Sequence, residues 1–192
     1  MKFSTLAGAV SAAALLATAP AAFAQDHAAM GHATVTVGGA AMYPTKTIVE
    51  NAVNSPIHTT LVAAVTAAGL VETLSGPGPF TVFAPTDEAF AALPAGTVET
   101  LVRPENKATL TKLLTYHVVA GRVAAADVVA MIEAGGGTAA ITTVEGGTLT
   151  ASLDGSTVVL TDEKGGTARV TQADVFQSNG VIHVTDAISM PD

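Results

Sequence analysis

The chain has 192 residues, about half of them apolar, with aromatics at only 4 % and a formal net charge of −8. It contains no cysteine, which excludes disulfides, thiolate metal sites, a cysteine nucleophile and a cysteine-linked lipid anchor. An acidic chain without a basic patch is a poor fit to nucleic acid or anionic lipid, and the length favours one domain with a core of Val, Leu, Ile and Ala.

Lys2 gives the chain a positive start. An apolar run follows over residues 6–19, Pro20 breaks it, and Ala22-Phe23-Ala24 places small residues where signal peptidase reads them. Residues 1–24 are therefore expected to be a signal peptide, cut after Ala24. The run is short and Ala-rich for a lasting anchor. Later apolar runs are interrupted by polar residues or Gly, so no membrane span is expected after cleavage. The expected location is periplasmic or secreted. Residues 25–42, rich in Ala, Gly, His and Met, read as a flexible lead with one weak alternation at 34–37.

The folded domain is expected over 43–191. A short helix is predicted at 47–54, with Ile48 and Val49 facing inward. Ser55-Pro56 reads as the start of the next helix, which runs through Leu61, Val62 and Val65 and stops at Gly69, with Leu70 in Schellman position. Residues 80–84 read as a buried strand. Thr86 then caps a helix whose first turn carries Asp87 and Glu88, where the dipole favours negative charge. One or two helical turns follow at 97–102, and Pro104-Glu105 opens another helix. In it Leu110, Leu113, Leu114 and His117 share one face. Residues 124–134 read as a helix stopped by Gly135-Gly136-Gly137.

The last third alternates Thr/Val/Ile segments, at 138–144, 148–153, 157–161, 167–171 and 181–186, with turns such as Asp154-Gly155. Helices first and an antiparallel meander after them make an α+β chain.

Three blocks resemble the fasciclin domain family: FTVFAPTDEAF at 80–90, LLTYHVV at 113–119 and SNGVIHVTDAISMP at 178–191. The resemblance covers residues 43–191. It implies a wedge-shaped β-sandwich of short strands with a helical layer. It also implies adhesion to a cell-surface or extracellular protein or glycan, without catalysis. Animal members use the Tyr-His block in receptor binding, which maps to Tyr116 and His117 as adhesion candidates. The Asp-Ile pair those members also use is interrupted here, as Asp186-Ala187-Ile188. The expected molecule is a monomer without a cofactor.

Read residue by residue, His117 ends an apolar stripe and suits a core histidine bonded to backbone. Tyr116, one step off that stripe, is expected half exposed, with its ring on the core and its hydroxyl outside. Asn179-Gly180 reads as a turn at positive φ. His183 shares a strand face with Val181 and Thr185 and reads as structural. Ser178, His183 and Asp186 make a triad only in sequence, and neither a Gly-x-Ser-x-Gly elbow nor a phosphate-binding Gly loop is present. An alternative function is that of a periplasmic small-ligand or copper-binding protein using the N-terminal lead. After cleavage the chain would start Gln25-Asp26-His27, and an amine, two amides and the His27 imidazole suit square-planar Cu(II) or Ni(II), with Met30 and His32 nearby.

Overall fold

Gly38-Gly39 sits between two short alternating runs, and both glycines have positive φ, 58° and 89°. That conformation closes a tight two-residue hairpin between β1 (Val35–Val37) and β2 (Ala40–Met42). Val37 and Met42 are buried in the main core, and the Gln172 amide donates to the Thr36 carbonyl at 2.9 Å. Residues 35–42 are thus packed on the domain, where a flexible lead was expected over residues 25–42. The computed structural model describes residues 33–191. The expected signal peptide and the Gln25-Asp26-His27 segment lie outside the described residues.

Helix α1 (Ile48–Val53) opens on a reciprocal cap. The Thr47 hydroxyl accepts from Glu50 N–H, and the Glu50 carboxylate accepts from Thr47 N–H at 2.8 Å, satisfying two otherwise orphaned donors. Helix α2 (Thr59–Ala68) starts later than Ser55-Pro56 suggests, because residues 55–58 form a turn. Its cap comes from a distance. The Asp87 carboxylate accepts from Thr60 N–H at 2.8 Å, Thr59 N–H at 3.2 Å and the Thr59 hydroxyl at 2.7 Å. Gly69 ends α2 in the left-handed region, and Leu70 N–H reaches back to the Val65 carbonyl at 3.0 Å, as a Schellman stop requires.

Helix α3 (Val71–Ser75) leads to strand β3 (Phe80–Pro85). Thr86 caps α4 (Asp87–Ala91), accepting from Ala89 N–H at 3.3 Å. Then come α5 (Thr97–Leu101), α6 (Lys107–Tyr116), β4 (Val118–Ala120) and α7 (Ala125–Ala134).

The remaining strands are β5 (Thr138–Thr142), β6 (Thr148–Asp154), β7 (Thr157–Thr161), β8 (Thr167–Gln177) and β9 (Gly180–Thr185). With β3 and β4 they form a seven-stranded sheet in the order β4-β3-β9-β8-β7-β6-β5. Strands β5 to β9 are the expected antiparallel meander, while β9 pairs in parallel with β3. Strand β8 is longer than expected. Its register shifts around Gln172, and Asp174 has φ 58°, a bulge that breaks the alternation a sequence reading relies on.

Two cores result. Val82 and Ala84 of β3 point with Ile182 and Val184 of β9 into one, covered by Leu61 and Val65 of α2 and Leu110 and Leu114 of α6. Phe83 points the other way, as strand alternation demands, into a second core with Val128 and Ile132 of α7 and Ile141, Leu149 and Leu160. Phe83 and Val119 thus share a core with strands from the far end of the sheet, so the sheet curls back on itself. Val144 N–H donates to the Val118 carbonyl at 2.7 Å across that gap.

Candidate functional site

The Tyr-His block lies where α6 turns into β4. Helix geometry sends Leu110 and Leu114 into the first core and Tyr116 into the second. Tyr116 has no exposed surface, which overturns the expected half-exposed side chain with its hydroxyl outside. Its hydroxyl donates to the Thr148 carbonyl at 2.8 Å and accepts from Glu163 N–H at 3.3 Å. The Glu163 carboxylate in turn accepts from Thr148 N–H at 3.0 Å. Burial raises the Tyr116 phenol above its ordinary range. The Glu163 N–H opposes that shift, and the carboxylates of Glu163, Asp162 and Glu145 add to it. The hydroxyl therefore keeps its proton and donates. A Cβ at Gly147 would come within 2.7 Å of the ring, so only glycine fits over it.

His117 is buried beside it, with the rings edge-on at 6.4 Å. Its Nε2 accepts from Ser189 N–H at 3.1 Å, so its Nδ1 carries the proton and donates to the Leu113 carbonyl at 2.8 Å. The central block is thereby tied to the closing block. Asp162 ties the 162–166 turn to the closing block: its carboxylate accepts from Lys164, Gly166 and Met190 N–H at 3.0, 2.7 and 2.7 Å. The hydroxyl and imidazole of this block face inward. What solvent meets above it is the turn at 143–147, with Val144 49 % exposed, and the turn at 162–166.

The closing block is also internal. The Asn179 side chain accepts from Ile48 N–H at 2.9 Å and donates to the Leu74 and Gly76 carbonyls at 2.8 and 3.0 Å. It joins the start of α1 to the end of α3. Ser178 and Asn179 form the expected turn between β8 and β9, but neither Asn179 nor Gly180 has the positive φ expected of it. His183 stacks on Phe83 with centroids 5.6 Å apart, donates from Nε2 to the Val123 carbonyl at 2.9 Å, and accepts at Nδ1 from Asp174 N–H at 3.3 Å. Both its nitrogens are engaged by backbone, and Asp186 accepts from Arg169 N–H at 2.7 Å. The structure thus does not join Ser178, His183 and Asp186 into a triad. His27 lies outside the described residues, and among the described residues no group of three or more His, Asp or Glu is placed to hold a metal.

Two roles escaped the sequence reading. Asp87 caps α2 from the next block along the chain. His58, which sits in no recognisable motif, is buried with Nδ1 2.7 Å from the Ser55 hydroxyl and Nε2 without a partner.

Burial lowers the pKa of His58, His117 and His183. The backbone carbonyls of Ala84, Leu113 and Val123 and the charges of Asp87, Asp162 and Asp174 respectively offset part of that. All three are neutral in the fold and take up a proton on unfolding once pH drops below the free value of about 6.5. Stability is thus full above that pH and falls as pH falls, by up to about 1.4 kcal/mol per pH unit for each histidine. Urea unfolding at pH 7.5, 6.5 and 5.5 should show this slope, and His183→Gln should remove about a third of it. A flat profile over that range would contradict the neutral tautomers.

Tyr116→Phe keeps the ring and removes the hydroxyl, leaving the Thr148 carbonyl and Glu163 N–H unpaired. The expected loss is about 1–2 kcal/mol in urea unfolding. No loss would mean that water serves both groups equally well.

The fasciclin domain profile matches residues 56–191. Protein sll1483 of Synechocystis is 49 % identical over 158 residues, spanning 82 % of this chain and 81 % of its own. Immunogenic protein MPB70 of Mycobacterium bovis is 36 % identical over 143 residues, 72 % of this chain and 65 % of its own. Transforming growth factor-beta-induced protein ig-h3 of Sus scrofa is 35 % identical over 131 residues, 68 % of this chain but only 17 % of its own. Among solved structures, a FAS1 domain pair from the insect cell adhesion molecule Fasciclin I superposes with a TM-score of 0.67 at 17 % identity, over 82 % of this chain and 57 % of that one. The α+β architecture described above is that fold.

Proposed function

This chain belongs to the fasciclin domain family, and we propose that it is an exported, non-catalytic adhesion module that binds a cell-surface or extracellular protein or glycan. The neighbouring fold comes from a protein described as a cell adhesion molecule, which supports the reading by analogy of fold. Among the described residues no helix is long and apolar enough to cross a membrane.

The observation that carries the reading further is the exposed Val144, in the turn directly over the Tyr-His block. Tyr116 serves as a positioning residue: its ring lies against Gly147 and its hydroxyl pairs with Thr148 and Glu163, which holds the 143–147 and 162–166 turns, while His117 ties the block to Ser189; those turns make the contact. An apolar tip surrounded by polar residues suits a modest interface with a protein or sugar face. The test is adhesion of the source organism's own washed cells and matrix to the immobilised chain. Val144→Asp should cut retention about tenfold, the effect of roughly 1.4 kcal/mol, with melting temperature unchanged. Equal retention would move the contact elsewhere, and no retention by the unaltered chain would overturn adhesion itself.

A further inference from the structure

Between α1, α2, α3 and the sheet lies a cavity of about 130 Å³. Its walls include Ile48, Val65, Leu74 and Ile182, and it opens where Val53 and Thr66, both exposed, line it. The lining is apolar apart from Ser55, His58, Thr66 and His117. Three of these four are satisfied. Thr66 donates to the Val62 carbonyl at 2.8 Å, the Ser55 hydroxyl pairs with His58 Nδ1, and His117 uses both ring nitrogens. His58, 3 % exposed, leaves Nε2 without a partner in hydrogen-bonding geometry, although the Ala84 carbonyl lies close enough to favour the protonated ring. A buried polar atom left unpaired is destabilising, and an apolar cavity of this kind excludes water.

We propose that this cavity is a binding site for a small, uncharged, apolar alcohol, whose hydrocarbon part fills the space and whose hydroxyl pairs with His58 Nε2. The size argument is direct: an engineered apolar cavity of about 150 Å³ takes one benzene ring, so a ligand of about six to eight heavy atoms fits here. The polar argument selects a hydroxyl. The His58–Ser55 pair can place its shared proton on either side, which makes Nε2 a donor in one arrangement and an acceptor in the other. A hydroxyl answers both, whereas a carboxylate would bring an unpaired charge into an apolar wall. Entry runs past Val53 and Thr66 and needs no opening of the sheet. The site lies on the α1–α3 side of the first core and does not depend on the adhesive surface around Val144.

The test uses the full chain with phenol as probe and toluene as its hydroxyl-free counterpart, followed by nitrogen-15 NMR of the histidine rings. Phenol should bind saturably and move the His58 ring resonances, leaving His183 unmoved. Toluene should bind at least about tenfold more weakly, the worth of one hydrogen bond of about 1.4 kcal/mol. His58→Leu should erase that preference, and Val62→Phe, which places bulk on the cavity wall, should weaken both ligands. Equal affinity for phenol and toluene on the unaltered chain overturns the role of His58, whether or not His58→Leu folds. Phenol binding that does not saturate, or that leaves His58 unmoved, overturns the site.

Discussion

Asn179→Ala should lower the unfolding free energy by about 3–5 kcal/mol, since one side chain satisfies three backbone groups and the truncation strands all three. Ile48 N–H is among the helix-start donors that α1 cannot satisfy internally, and Asn179 Oδ1 meets it at 2.9 Å. The Leu74 and Gly76 carbonyls sit at the end of α3, where acceptors are similarly orphaned, and the Asn179 amide donates to both. Asn179 is only 7 % exposed, so water cannot readily replace it. Asn179→Asp is a sharper probe. It keeps the acceptor for Ile48 and turns a donor into a carboxylate oxygen facing two carbonyls. It should lose at least as much as Asn179→Ala, and the loss should lessen as the carboxyl protonates in acid. Urea unfolding of both variants measures this, and a loss below about 1 kcal/mol would show that the three contacts are weak.

Gly180→Ala is the second severe change. A Cβ at Gly180 would lie 2.1 Å from the Phe80 carbonyl oxygen and 2.8 Å from Ile48 Cδ1. The first of these is backbone in the parallel partner strand, with Phe80 directly opposite Gly180 in register. No side chain can rotate away to relieve it. Strands β3 and β9 must separate at the centre of the sheet, and overpacking of this kind costs about 3 kcal/mol. Circular dichroism melting should show a fall of roughly six to twelve degrees for a domain of this size. A variant melting within a degree or two of the unaltered chain would mean that the strand ends yield at no cost.

These two residues show where sequence reading succeeds and where it stops. Asn-Gly before a strand marks a chain reversal, and β9 does begin at Gly180. The reason these residue types are needed is invisible in sequence, because both requirements are set by partners about a hundred residues away. Asp87 teaches the same lesson. Its place after Thr86 suits a helix first turn, yet its oxygens serve α2. Local signals fared well where the physics is local: the Thr86 cap, the Gly69 stop and the α6 stripe all lie close to where periodicity and capping rules put them. The β1–β2 hairpin was overlooked because its three-residue strands bury only Val37 and Met42 deeply, too little for a composition argument, although Gly38-Gly39 was its signal. Tyr116 misled for another reason. One step off a helical stripe reads as half exposed when a helix has one core to face, and α6 has two.

The candidate site divides in the same way. The blocks that carry the family resemblance are chiefly interior. Phe83, Tyr116, His117, Asn179 and His183 are all buried, so their chemistry builds the scaffold. The proposed contact lies in surface turns such as 143–147, whose sequence has no strong signature. Neither His58 nor the cavity it lines was legible, since an unpartnered nitrogen exists only in three dimensions.

The central claim is that the Tyr-His block supports and the turns above it bind. The most direct measurement is retention of the source organism's cells and matrix per folded molecule, with Tyr116→Phe and Val144→Asp compared side by side and folded fraction read from urea unfolding. Tyr116→Phe should lose stability and keep its retention per folded molecule, while Val144→Asp should keep stability and lose retention. The opposite pattern, with Tyr116→Phe fully stable but no longer adhesive, would place the contact on the tyrosine itself and contradict the account.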